Sequence, residues 1–387
     1  MDLQALLQLH RVPDVEFVLN VDDYPKARDN KVPTSAEKDA PLLPMALFSY
    51  CKRERIKTGA SRDYDLLVPT GAFRMSLFER KLLSRSIVKW EKDFPWQSKD
   101  DKAYFRGTPY CSMPEHRPFG RCSRYLLAHL AANGNRTTGG AASVSASGSG
   151  SGPPSQLDVG LVEYNAQHDT ELQLKKRTKV GKGGGGKKRG GGKAAGRCVD
   201  GSSGCVEAIP LTQAPRVSES EWWKHKYLLQ LDGHTFSNRL QALLLSNSLV
   251  LKQESEYVEY YYRALRRWEH YVPIMSTSAD DVLDILPNLT KSDEYAQAIA
   301  KRGQEFAHNN LHVDARMCYW RKLLHGWRRR LAYVPTLSAR LPEARVSDGR
   351  VVCGECMRGS NPDLIGPWAQ PANREKARKR WSRRGDR

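Results

Sequence analysis

A chain of 387 residues with 40% hydrophobic content holds two ordinary domains or one domain with appendages. No apolar run approaches the ~18 residues that suggest a membrane span, and the start MDLQALLQLHRVPDV lacks the basic, apolar and small-residue regions of a secretory signal. The net charge of +19 is local: Lys175 to Lys193 contributes +9 and Arg374 to Arg387 contributes +6, leaving about +4, an ordinary value for a folded domain.

The first element is Asp14 to Val21, a β-branched and aromatic run that Asp22-Asp23-Tyr24-Pro25 terminates, placing two carboxylates at a strand end. Adjacent strand residues point to opposite faces, so Asp22 and Asp23 are poor joint ligands for one ion, and no metal is expected. Leu47 to Tyr50 and Asp65 to Pro69 read as further short strands. Leu77 to Trp90 reads as an amphipathic helix with Leu82, Leu83 and Ile87 on one side.

Lys102 to Gly107 opens a second strand series and ends in Arg106-Gly107, where glycine permits close backbone approach and arginine can grip a phosphate. From about Asn133 to Ser218 the composition turns to Gly, Ser, Ala and Lys, which reads as a partly disordered insertion, with a short strand near Leu157 to Val162. The glycines of GKGGGGKKRGGGK are not a phosphate loop, since neither a strand nor an apolar helix flanks them.

Lys226 to Pro273 is the densest run. Lys226 to Leu231 reads as a buried strand stopped by Asp232-Gly233, and a helix from Ser237 turns Leu240, Leu243 and Leu244 inward. That helix would begin beside Arg239, and Ser248 to Leu251 would carry Lys252 at its carboxyl end, leaving room for a diphosphate between the two cations. Solvated surface charge is the competing reading of both. The tyrosines 257, 260, 261 and 262 could stack on a uracil or sugar, with helical core packing the commoner reading, and His270 reads as packed or hydrogen-bonded.

Two helical stripes follow, Ala296/Ile299/Ala300/Gly303/Phe306/Ala307 and Met317/Trp320/Leu324/Trp327/Leu331, and residues 336–387 read as a basic, disordered tail. Eight cysteines are too few for a disulfide scaffold, and Cys353-Gly-Glu-Cys356 alone does not make a zinc site.

The segments DVEFVLNVDDYP, PWQSKDDKAYFRG, KHKYLLQLDG, SNSLVLKQESEYVEYYYRAL, WEHYVPI and QAIAKRGQEFAHNNL, in that order, resemble glycosyltransferase family 90, the protein O-glucosyltransferases and capsule xylosyltransferases. The resemblance implies an α/β, GT-B-like fold of two facing Rossmann-like lobes. Residues 1–98 would form a first lobe, truncated at its N-terminus relative to the family, and residues 99–335 the UDP-sugar lobe with the insertion at about 133–218. It implies inverting transfer of glucose or xylose from a UDP-sugar to a hydroxyl of a protein or glycan, with no permanently bound cofactor. Asp23 falls on the catalytic base. Arg106, Gly107, His234, Thr235, Phe236, Ser237, Asn238 and Arg239 fall on donor-binding positions, with Arg121 and Lys252 as weaker matches. Cys318 matches a cysteine that the family bridges to a region preceding the catalytic domain. The family implies the lumen of the endoplasmic reticulum or Golgi. An inactive nucleotide-sugar-binding relative stays open, as does a nucleic-acid binder acting through the two basic segments, although solvated charge accounts better for those.

Overall fold

The computed structural model describes residues 6–7, 10–25, 46–56, 58–69, 80–139, 156–172, 198–201, 204–207, 210–331, 333–335, 344–347 and 350–353. The chain separates into two compact units, one of residues 1–17 with 319–387 and one of residues 18–318.

Three short strands, β1 (Phe17–Asn20), β2 (Ala46–Ser49) and β4 (Leu66–Leu67), form a sheet in the order β1-β2-β4, with β2 and β4 parallel. Asn20 cinches the turn after β1, donating from Nδ2 to the Tyr24 carbonyl (2.7 Å) and to Ser49 Oγ (3.0 Å), while its own oxygen accepts from the Asp22 N–H. Ser49 in turn donates to the buried Asp65. Between β2 and β4, β3 (Lys52–Arg53) pairs antiparallel with β11 (Tyr257–Val258). Helix α1 runs over Arg80–Asp93; Leu77, where it was expected to begin, lies outside the described residues.

The second sheet is wholly parallel: β5 (Asp100–Gly107), β6 (Leu157–Leu161), β9 (His225–Gln230), β10 (Leu249–Gln253) and β12 (Val272–Ile274), in the order β12-β10-β9-β5-β6. Strands β9 and β10 are buried along their whole length, as central strands covered on both faces must be. From β5 the chain steps outward through helix α2 (Ser123–Gly139) to β6, then returns to the other side of β5 for β9 and continues outward. The direction of winding thus reverses between β5 and β9. In such doubly wound sheets the crevice at the carboxyl ends of the strands flanking the reversal is where ligands bind.

The expected insertion is partly folded. Strand β6 joins the main sheet, and behind it a buried Asp169 accepts from Tyr164 and His129 and from the backbone N–H groups of Glu171 and Leu172. Within the glycine-rich stretch, Cys198–Gly201 (β7) pairs antiparallel with Gly204–Glu207 (β8). In the expected tail, Ala344–Ser347 (β13) pairs with Arg350–Cys353 (β14). Backbone pairing across tight turns needs little apolar burial, so composition alone misses such ladders. The basic run Lys175–Lys193 and the terminal run Arg374–Arg387 lie outside the described residues.

Helix α3 (Glu219–Trp222) precedes β9, and α4 (Leu240–Leu244) follows it; α4 has five residues and does not begin at Ser237. Three longer helices follow, α5 (Val282–Lys291), α6 (Asp293–Asn310) and α7 (Val313–Arg328). The expected stripe on α6 is buried throughout, and a Cβ on Gly303 would stand 2.4 Å from the His270 carbonyl, which requires glycine there. Met317, Trp320 and Leu324 are buried too. In the smaller unit, Trp327 Nε1 and the Tyr333 hydroxyl both donate to Glu16, and the Trp320 and Phe17 rings lie 6.4 Å apart. No helix among the described residues is long and apolar enough to cross a membrane.

Candidate functional site

Two arginines stand at the reversal crevice. Arg124, in the first turn of α2, is 4% exposed and donates from Nη1 to the Thr108 carbonyl (2.7 Å) and from Nη2 to the Leu231 carbonyl (3.1 Å), so one guanidinium joins the ends of β5 and β9. Arg239 donates from Nη1 to the Arg106 carbonyl (2.9 Å) and lies over the Phe105 and Trp222 rings at 5.1 and 4.8 Å. The Arg124 guanidinium also packs on Phe105, at 5.3 Å. Both arginines rely on glycine: a Cβ on Gly107 would stand 3.2 Å from Arg239 Nη2, and one on Gly233 3.2 Å from Arg124 Nη2.

The cations are held under electrostatic stress. Burial pushes the Arg124 guanidinium down to about 9, with repulsion from Arg239 adding to it, and burial pushes Arg239 down to about 10. Lys252, at the end of β10, is buried, is likewise shifted down by desolvation, and lies over the Tyr262 and Tyr271 rings. Asp232 is a counter-charge to two of them: its N–H is held by Gln253 Oε1 (3.0 Å), and its carboxyl is pushed up to about 6 by burial against the pull of Lys252 and Arg124. Desolvated cations of this kind favour an incoming anion, whose charge would draw Arg124, Arg239 and Lys252 back toward their ordinary pKa values.

The Asp23 side reaches the same place. Asp23 is exposed on the Asn20-cinched turn, its N–H held by Asp22 Oδ1 (3.2 Å), which gives Asp22 a supporting role. Behind it Cys51 donates from Sγ to the Asp23 carbonyl (3.1 Å) and also contacts the Thr235 side chain; burial and the nearby Glu259 raise the thiol well above its ordinary range. A buried Cys51 thus joins the turn carrying Asp23 to the loop after β9.

The loop from His234 to Asn238 is shaped by its own contacts. The Gly233 N–H bonds the Thr235 carbonyl (3.0 Å), and the Ser237 carbonyl accepts from Gln230 Nε2 (2.5 Å). Thr235 and Ser237 are buried, Phe236 and Asn238 half-buried, and exposed His234 stacks on Tyr110 at 4.5 Å. Tyr110 sits in the loop from Thr108 to Cys122, which a Cys111–Cys122 disulfide closes.

Two expected arginines stand apart from the crevice. Arg106 turns onto the sheet face, where it pairs with Asp158 (2.7 Å) on β6 and covers the Tyr104 ring at 4.4 Å; its carbonyl, not its guanidinium, serves the crevice through Arg239. Arg121 pairs with the buried Glu171 (3.1 Å). The tyrosines from 257 to 262 occupy β11 and a 3-10 turn rather than a helix. His270 accepts from the Arg266 N–H and packs on Phe306, a structural role. Sequence reading missed Arg124, although an arginine opening the run YLLAHLAA is a charge set in an apolar helix face, which is the available signal.

The family model described as Glycosyl transferase family 90 matches residues 2–134 and 212–361. The chain belongs to glycosyl transferase family 90. Among its relatives, Protein O-glucosyltransferase 1 of Mus musculus is 29% identical over 339 residues, covering 84% of this chain and 65% of that protein. Protein O-glucosyltransferase 3 of Mus musculus is 27% identical over 365 residues, covering 92% and 56%. The chain thus spans 65% and 56% of the length of these curated relatives. The crystal structure of Anabaena Alr3699/HepE in complex with UDP-glucose is similar at a TM-score of 0.35 and 10% identity, covering 70% of this chain and 60% of that one, too slight a likeness to argue from. As a family 90 member the chain has its α/β class in parallel-stranded sheets, with the two arginines at the reversal of the larger one.

Proposed function

We propose that this chain is a UDP-sugar-dependent glycosyltransferase of inverting mechanism and GT-B-like architecture, which moves glucose or xylose to a hydroxyl of a protein acceptor. The carrying observation is the crevice between β5 and β9, where Arg124 repels Arg239 and shares Asp232 with Lys252, with Asp23 reached through Cys51 and Thr235. The diphosphate of the donor is the anion that relieves those cations.

In the reaction an acceptor hydroxyl gives its proton to Asp23 as its oxygen attacks the anomeric carbon from the face opposite UDP. The bond from that carbon to the β-phosphate oxygen breaks, and its electron pair stays on the diphosphate, where the cations stabilise it. Arg106 contributes through its carbonyl, which fixes Arg239. The relatives named as protein O-glucosyltransferases support a protein acceptor and glucose as donor sugar. The secretory lumen is the compartment this reading assigns, and the Cys111–Cys122 disulfide supports an oxidising one.

The test is turnover of UDP-glucose and UDP-xylose by wild type and Asp23→Asn. Removing the base is expected to cut transfer by about 10²–10⁴-fold while UDP affinity stays within about twofold. Transfer that survives the substitution undiminished would rule out Asp23 as the base.

A further inference from the structure

Glu259 has no part in the steps above, yet its position is hard to explain by folding alone. It follows β11, is 1% exposed, and neither carboxylate oxygen has a hydrogen-bond partner among the described residues. The adjacent Tyr261 hydroxyl favours the ionised carboxyl but is not placed to close a hydrogen bond with it. A buried carboxyl without partners is costly, and native proteins keep such groups where something else completes them.

Its surroundings say what that is. From β10 comes Lys252, from the end of β9 Asp232, from its own loop Tyr261 and Tyr262, and from the Asp23 side Cys51, each coupled to Glu259 electrostatically. Lys252 and Asp232 belong to the diphosphate crevice, whereas Cys51 holds the Asp23 carbonyl and contacts Thr235. Glu259 is thus coupled at once to one of the leaving-group cations, Lys252, and to Cys51, the support of the base. In a displacement that is in line, the group between leaving diphosphate and base is the sugar being transferred.

We infer that Glu259 binds a hydroxyl of the transferred sugar and so holds the anomeric carbon between Asp23 and the diphosphate cations. The inference rests on the UDP-sugar reading. Burial pushes the Glu259 carboxyl up to about 8, against the pull of Lys252, so at neutral pH it carries a proton that it donates to a sugar oxygen. This makes Glu259 a positioning residue for the donor sugar, distinct from the groups that hold UDP.

The test compares affinities for UDP, UDP-glucose and UDP-xylose in wild type, Glu259→Ala and Glu259→Gln. Glu259→Ala is expected to weaken binding of at least one UDP-sugar about tenfold while leaving UDP within about twofold, the loss of one buried hydrogen bond. Glu259→Gln, which can still donate, is expected to bind that UDP-sugar nearly as wild type does at pH 7 and to abolish the weakening that wild type shows between pH 7 and 9. An unchanged ratio of UDP-sugar to UDP affinity in folded Glu259→Ala overturns the inference. Should that variant fail to fold, a Glu259→Gln pH profile identical to wild type overturns it. A wild-type protein that binds neither UDP nor a UDP-sugar overturns the underlying reading instead.

Discussion

Arg124 and Arg106 make opposite predictions although both are arginines near the end of β5. The Arg124 guanidinium spends two N–H groups on carbonyls of neighbouring strands, and a lysine cannot bridge both and still present charge to a diphosphate. Arg124→Lys is therefore expected to weaken UDP about 10- to 100-fold in calorimetric titration, and to lower stability by roughly 1–3 kcal/mol through an orphaned carbonyl. Arg106→Lys removes a pairing with Asp158 on the sheet face and leaves the carbonyl that Arg239 uses, so UDP affinity should move less than about threefold. A large loss of UDP binding in the second variant and none in the first would reverse the assignment of the two. The places of Asp23, Gly107, Arg239 and Lys252 at strand ends and turns were legible from local pattern, while the roles expected of them come from the family resemblance. Arg121 and Arg124 lie three residues apart in one basic stretch, and which turns back to the crevice depends on the crossing of β5 and β9, long-range information that no local pattern carries.

At the scale of elements, strands were legible where apolar runs end in Gly, Asp or Pro, which is why β5, β9 and β10 lie within two residues of their expected bounds at each end. The loop between β5 and α2 was not legible, since a pairing of Cys111 with Cys122 cannot be chosen from eight cysteines by spacing. The disulfide closes a short loop that carries Tyr110 to His234 and leads directly into Arg124. Constraining a loop of this length stabilises a fold by about 2–3 kcal/mol. Cys111→Ser is expected to lower the thermal midpoint accordingly and to weaken UDP binding, because Arg124 loses the anchor on its N-terminal side. Adding reductant to wild type should reproduce both effects, and a variant with unchanged midpoint and affinity would show that the loop holds its shape without the bond.

For the whole molecule, burial of acids at the crevice sets a pH dependence that a single substitution can isolate. Glu259 has an ordinary pKa of 4.5 and is pushed to about 8 by desolvation, so between those values the folded chain holds a proton that the unfolded chain has released. The folded state then binds more protons, and its stability falls as pH rises, the loss being complete above pH 8. Asp232, pushed to about 6, acts in the same direction over a lower window. Lys99 opposes both: it is buried against the Trp223 and Ser246 carbonyls and Ser248 Oγ, burial pushes its ammonium down to about 7, and such a base adds stability as pH rises. The wild-type curve alone therefore mixes signs, whereas the difference between wild type and Glu259→Gln cancels Lys99 and leaves Glu259 with the groups coupled to it, Lys252 and Asp232 among them. Denaturant titrations of the ligand-free proteins should show Glu259→Gln gaining on wild type from pH 5 to pH 8.5 by on the order of 1–3 kcal/mol, since each tenfold change in proton affinity is about 1.4 kcal/mol. Saturating UDP-sugar should leave that gap nearly unchanged at pH 7, where both proteins bind it alike, and widen it above pH 8, where wild type loses the proton it donates and the glutamine keeps its own donor. A gap that does not vary with pH would mean that Glu259 is ionised in the folded protein throughout, paired with Lys252 as part of the framework.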